Sequence, residues 1–183
     1  VRNTGAAAAG GGVDRGAAPH DTPRPEFKEE RMRVVESPDA LKALIGQELG
    51  VGDWLEVSQE MIDRFAEVTG DHQWIHVDVE RAKTEMPGGK TIAHGYLLLS
   101  LLPKLGAGVY KVAWASRTLN YGSDKVRIIN PVQAGAKVRL RQALVGVEDG
   151  ANGTHRIVVR QTMEIEGQTK PALIADTIRM TFS

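Results

Sequence analysis

Cysteine is absent from the 183 residues. Its absence excludes disulfide scaffolds, thiolate zinc sites, cysteine-ligated iron–sulfur clusters and a cysteine nucleophile, and it fits a reducing compartment. A surplus of either charge is also missing, since 23 Lys plus Arg balance 23 Asp plus Glu. Nothing therefore advertises a polyanionic partner, and a general nucleic-acid binder is not expected. Long apolar runs are lacking too. The longest strongly apolar stretch, Tyr96 to Leu102, falls far short of the roughly 18 to 20 residues that cross a bilayer. No basic segment followed by an apolar stretch stands at the start, so no secretory signal is visible. A cytoplasmic protein with no membrane partner is the expectation.

The first 25 residues lack aromatic residues, Leu, Ile and Met, while holding six Ala, five Gly and three Pro. Such a segment cannot build a core. Residues 1–31 are therefore expected to be a flexible extension or an artificially added leader, with Met32 as the candidate native start. Residues 32–183 are expected to be a single domain, the default at this length.

From Met32 the texture changes. Ser37-Pro38-Asp39 reads as an N-cap with proline at the first helical position, followed by Ala40, Leu41, Leu44 and Ile45 at helical spacing. A brief strand is expected over Asp53 to Val57. Ser58 can then cap a helix whose Ile62, Phe65, Ala66 and Thr69 form a stripe, ended by Gly70. Asp78 can cap a further turn through Ala82, before the Pro87-Gly88-Gly89 break. His94 to Pro103 is apolar on nearly every face, which predicts a helix buried all round.

Beyond that helix the period becomes two. Val138, Leu140 and Leu144 alternate with Lys137, Arg139 and Arg141, and Ile157, Val159, Met163 and Ile165 alternate with Arg156, Arg160 and Glu164. Ile174, Ile178, Met180 and Phe182 repeat the pattern, so half-exposed antiparallel strands are expected, with a turn-rich connection over Glu148 to Gly153. A helical first half, a buried helix and long strands predict an α+β fold in which one antiparallel sheet wraps a central helix.

The densest polar cluster runs from Gly70 to Asp78, just after a helix ends, where a rigid element can fix a reactive loop. Asp71 and His76 pair a carboxylate with a side chain whose unperturbed pKa is about 6.5. Such a pair can move a proton to or from water. A turn aspartate and a hydrogen-bonded core histidine would share the same spacing, and spacing does not choose between them. His72, His76 and Asp78 can also be read as metal ligands, but the helical His-Glu-x-x-His arrangement is missing and no metal is expected. Thr91 to Gly95 opens the apolar helix. There, free N–H groups and a glycine that admits close approach make a candidate oxyanion hole, or only a packing position. No Gly-x-Ser-x-Gly elbow surrounds Ser100 or Ser123, and no phosphate-cradling glycine loop occurs. Tyr121, Lys125 and Arg127 read as a solvated strand face in preference to a phosphate site.

Together these segments resemble the MaoC-like dehydratases, the hydratase-2 or R-specific enoyl-CoA hydratase family. The resemblance rests on Phe65, Gly70-Asp71, Ile75, His76, the triplet Ala93-His94-Gly95, and Pro131-Val132 with Gly135. Gln73 and Trp74 stand where the family pattern has Asn and Pro, a variant most similar to the subgroup of nodulation protein N. The resemblance implies a hot-dog fold with a long central helix, and a homodimer joined through a continuous sheet. It implies Asp71 and His76 as the catalytic pair and Gly95, with His94, as substrate-binding positions. The implied reaction is reversible hydration of a trans-2-enoyl-CoA to the (R)-3-hydroxyacyl-CoA, or of a carrier-protein thioester. No metal or redox cofactor is implied, coenzyme A being part of the substrate. A hot-dog acyl-CoA thioesterase and a non-catalytic acyl-binding subunit are the alternatives.

Overall fold

The computed structural model describes residues 32–183; the extension expected over residues 1–31 lies outside them. Helix α1 (Pro38–Lys42) starts as its sequence dictates, with the Ser37 hydroxyl accepting from the Ala40 N–H and Pro38 in the first turn. It sits between β1 (Arg33–Val35) and β2 (Glu48–Val51), and the strand expected over Asp53 to Val57 narrows to β3 (Leu55–Glu56). Helix α2 (Gln59–Thr69) is capped by Ser58, whose hydroxyl accepts from the Met61 N–H. It ends at Gly70, where a φ of 76° places the backbone in the left-handed region that glycine tolerates. Two short helices follow, α3 (Trp74–Val77) and α4 (Val79–Glu85), the second capped by Asp78 as expected.

The apolar segment forms α5 (Gly95–Ser100) and α6 (Leu102–Gly106) in place of one long uninterrupted helix. Pro103 explains the break, because it has no N–H to give to the preceding turn. The expectation of burial all round also needs correction. Leu97, Leu98, Leu101, Leu102 and Leu105 are buried, but Tyr96 is 74% exposed and Ser100, Pro103 and Lys104 share its open side.

After the short β4 (Tyr110–Val112), which pairs in parallel with β1, the chain builds its main sheet from β5 (Arg117–Ile128), β6 (Lys137–Asp149), β7 (Thr154–Ile165) and β8 (Leu173–Phe182). The order is β2-β6-β7-β8-β5, with β3 beside β2 on the free side of β6, and every pairing is antiparallel. Val138, Leu140, Met163, Ile165 and Leu173 face α5 and α6, forming the larger core cluster with Leu97, Leu98 and Leu102. A second cluster gathers Leu41, Leu144, Ile157 and Val159 under α1. This is the hot-dog arrangement, a sheet curled over a helix.

The apolar stripe read on β8 lies on the other face of the sheet. Register sets Leu173 opposite Met163 and Ala175 opposite Gln161, so the helix-facing positions are Leu173, Ala175, Thr177, Arg179 and Thr181. Ile174, Ile178, Met180 and Phe182 therefore point away from the helix. Three of the inward polar residues, Gln142, Gln161 and Thr177, are linked to one another across the strands. The Gln142 amide donates to Gln161, 2.8 Å away, and the Gln161 amide donates to the Thr177 hydroxyl, also at 2.8 Å. Among the described residues no helix is long and apolar enough to cross a membrane.

Candidate active site

Gly70 turns the chain out of α2 and delivers Asp71 to an exposed loop. The Asp71 carboxylate accepts from the Gln73 N–H at 3.4 Å, a turn contact local to the loop. Gln73 then leads into α3, whose single full turn carries Trp74 and His76. Trp74 fills the position that departs from the family pattern by packing under the Arg81 guanidinium, 4.0 Å from the ring centre.

His76 is buried and held by a double clasp to the segment that precedes α5. The Ile92 N–H donates to the Ile75 carbonyl at 3.0 Å, and His76 Nδ1 lies 2.7 Å from the Ile92 carbonyl oxygen. A carbonyl only accepts, so Nδ1 carries the proton and Nε2 of the neutral ring keeps its lone pair. Burial lowers the His76 pKa below its ordinary value; the Ile92 carbonyl opposes that shift, neighbouring His94 adds to it, and Asp71 opposes it more weakly.

The segment leading to α5 is itself braced. Ala93 N–H donates to the Val132 carbonyl, Ala134 N–H to the Thr91 carbonyl, and Gly135 N–H to the Val57 carbonyl. The Pro131-Val132 segment thus serves as the rail on which His94 and Gly95 are mounted. From the other side, the Gln59 amide donates to the His76 carbonyl at 2.8 Å, while its oxygen accepts from the Thr91 hydroxyl. The sequence gives no signal for that Gln59 link, because a glutamine in a first helical turn has no preferred partner.

The structure brings together Asp71, His76 and His94. One ring nitrogen from each histidine and a carboxylate oxygen of Asp71 lie within 4.8 Å of one another. Among the described residues this is the one such cluster, and the alternative ligand set of His72, His76 and Asp78 is not assembled. The two imidazoles stack with centroids 3.8 Å apart and planes at 28°. Nitrogen lone pairs lie in the ring planes, and planes so stacked do not aim two of them at one ion about 2.1 Å from each. A carboxylate with an imidazole this close can take up and return a proton through a water between them.

Gly95 follows His94 at the start of α5, where the first-turn N–H groups have no acceptor within the helix. A Cβ built on Gly95 would stand 2.2 Å from Ile128 Cδ1 of β5, so only glycine fits without moving that side chain. Ser100 and Ser123 line a separate cavity between α5, α6 and the sheet. Tyr121 and Arg127 lie on the exposed strand β5, and Lys125 is paired with Asp176.

Residues 40–166 match the family model described as MaoC like domain. The protein named 3-hydroxyacyl-thioester dehydratase Z from Mycobacterium tuberculosis (strain ATCC 25618 / H37Rv) is 48% identical over 147 residues, which is 80% of this chain and 97% of the relative. Nodulation protein N from Rhizobium leguminosarum bv. viciae is 45% identical over 135 residues, covering 73% of this chain and 84% of the relative. Among solved structures, R-hydratase PhaJ1 from Pseudomonas aeruginosa in the unliganded form shares the fold, with a TM-score of 0.57 at 22% identity over 76% of this chain and 82% of that one. The chain belongs to the MaoC-like domain family.

Proposed function

We propose that the protein catalyses reversible addition of water to a trans-2-enoyl-CoA, forming the (R)-3-hydroxyacyl-CoA, with Asp71 and His76 moving the protons. The observation that carries this reading is the convergence of the Asp71 carboxylate and a His76 ring nitrogen within 4.8 Å, next to the amide that opens α5. The relative named a 3-hydroxyacyl-thioester dehydratase supports the same substrate class.

The steps follow from the groups present. The thioester carbonyl lies against the Gly95 N–H, which draws electron density to the oxygen and leaves C3 electrophilic. A water donates its hydrogens to Asp71 and to His76 Nε2. As its oxygen bonds to C3, one of the pair takes the proton, and the double-bond electrons move onto C2 and the carbonyl oxygen as an enolate. The pair then returns a proton to C2, so protons balance and the dyad is restored. Dehydration is the same path reversed.

The acyl part is proposed to run further along the same helix, into the cavity that Ser100 and Ser123 line. A cavity of about 220 Å³ is lined by Leu99, Leu102, Asn120, Ser123 and Gln161, among others. Leu99 and Ser100 stand four and five residues past Gly95, about 6 to 8 Å along the axis.

Strand β5 supports a homodimer. All of its residues except Val126 are exposed, and one long edge pairs with β8 while the other has no strand beside it among the described residues. Tyr121 is 71% exposed and Leu119 54%, an edge that a soluble chain ordinarily covers. Pairing with β5 of a second copy would make the sheet continuous. Light scattering is expected to give twice the chain mass, and Leu119→Lys/Tyr121→Lys to shift it towards monomer; a monomeric parent chain would contradict the dimer.

The pH profile gives a second check. With its pKa held below 6.5 by burial, His76 is neutral at pH 7 and can accept a proton. Activity is lost as pH falls through the lowered pKa, so the acid limb of kcat/KM is expected to have its midpoint below 6.5. A midpoint above 6.5 would argue against His76 as the titrating group. The reading as a whole is tested with crotonyl-CoA: loss of enoyl-thioester absorbance without thiol release supports hydration, whereas thiol release marks a thioesterase.

A further inference from the structure

His94 is 2% exposed, and its ring is already committed on three sides. Its Nε2 lies 2.9 Å from the backbone carbonyl oxygen of Asp71, so Nε2 carries the proton and donates it. One face of the ring stacks on His76 at 3.8 Å. Phe65 of α2 packs against it at 5.1 Å, tilted by 51°. The His94 backbone is the residue immediately before Gly95 and acts as the cap of α5.

A single buried ring therefore touches the loop that bears the carboxylate and the imidazole that partners it, while its own backbone carries the amide beside them. Asp71 lies on an exposed loop. Its carboxylate accepts from the Gln73 N–H, and its own N–H faces the Thr69 hydroxyl at 3.4 Å. Both partners belong to the loop or to the end of α2, and neither ties the loop to α5. The His94 bond ties Asp71 itself to the residue that caps α5, while the Ile75 and His76 links to Ile92 hold the far end of the segment.

Resting on the hydratase reading above, the geometry points to His94 as the positioning residue of the site: it fixes the Asp71 carboxylate relative to His76 and Gly95 by donating Nε2–H to the Asp71 carbonyl. The role belongs to the hydrogen bond, with the stack holding the ring in the orientation that makes it. Reacting groups need placement to within a fraction of an ångström, and a 1 Å error commonly costs about a hundredfold in rate. The effect falls on kcat, because the tether runs from the His94 ring to the Asp71 backbone and orders the proton-moving pair.

Three variants of the full chain separate this from a packing role. In His94→Gln the amide nitrogen occupies the place of Nε2 and can still donate to the Asp71 carbonyl. His94→Phe keeps an aromatic ring of similar shape and deletes the donor, and His94→Leu is a second variant without the donor should Phe not fold. Each is measured for kcat and KM with crotonyl-CoA, for thermal melting, and for hydrogen exchange of residues 70–76. The expected result is a kcat at least tenfold higher in Gln than in the folded variant lacking the donor, with KM within about threefold of wild type in both. Exchange over residues 70–76 is expected to be faster only where the donor is lost. A Gln variant no better than Phe or Leu, or unchanged exchange in the variant without a donor, would overturn the assignment. If the wild-type chain fails to hydrate crotonyl-CoA, the proposed function falls, and the exchange measurement still decides whether His94 tethers the loop.

Discussion

Asp71→Asn and His76→Asn are each expected to lower turnover of crotonyl-CoA by about 10²- to 10⁴-fold, the usual contribution of a group that moves a proton in the transition state. Both changes are chosen to spare the fold. Asn at position 71 keeps the oxygen that accepts from the Gln73 N–H and loses only the negative charge and basicity. Asn at position 76 places an amide nitrogen where Nδ1 stands and can still donate to the Ile92 carbonyl, yet it has no basic nitrogen in place of Nε2. Melting temperatures near that of wild type, with kcat reduced at saturating substrate, are the expected pair of readings. His76→Ala would be less informative, because it also empties a buried position and orphans the Ile92 carbonyl. A wild-type rate in either Asn variant would remove that residue from the mechanism.

The second large effect concerns Gly95. Gly95→Val is expected to reduce kcat/KM by about a hundredfold, because the thioester can no longer approach the N–H closely. There is a competing explanation in the packing, since any Cβ here stands 2.2 Å from Ile128 Cδ1 and 3.2 Å from Cγ1. Ile128 is exposed, so its tip can swing aside at little cost to stability. The double variant Gly95→Val/Ile128→Ala separates the two. It relieves the clash with the strand while leaving the obstruction over the amide, so activity should stay low. Full recovery in the double variant would show that Gly95 is required for packing alone.

Caps and strand periods were legible from local chemistry. Ser58 and Gly70 bound α2 because a hydroxyl and a left-handed glycine each satisfy backbone groups that the helix leaves open. Strands β6 and β7 showed their period of two because one face packs on the helix and the other meets solvent. Strand β5 showed none, for the physical reason that nearly all its residues are exposed in the single chain. The stripe on β8 misled because its apolar members sit on the far face of the sheet, while the inward positions are the polar Thr177, Arg179 and Thr181. Thr177 is tolerated there through its bond from the Gln161 amide, and Arg179 through the Tyr110 hydroxyl to which it donates, partners that a linear reading does not reveal.

The site divides in the same way. The spacing of Asp71 and His76 was visible, and the structure brings the two together. What fixes them was hidden, since the Ile92 carbonyl, the Gln59 amide and the His94 ring act across separations of 16, 17 and 23 residues. Contacts at that range are made by the packing of α2, α3 and the start of α5, and no local propensity encodes them.

The most direct test is hydration of crotonyl-CoA by the full chain, followed by chiral separation of the 3-hydroxybutyryl-CoA formed. On the proposed reading water adds from the side of Asp71 and His76 alone, so one enantiomer is expected in large excess, and the hydratase assignment makes it (R). A racemic or (S) product, or no hydration by a folded protein, would contradict the account.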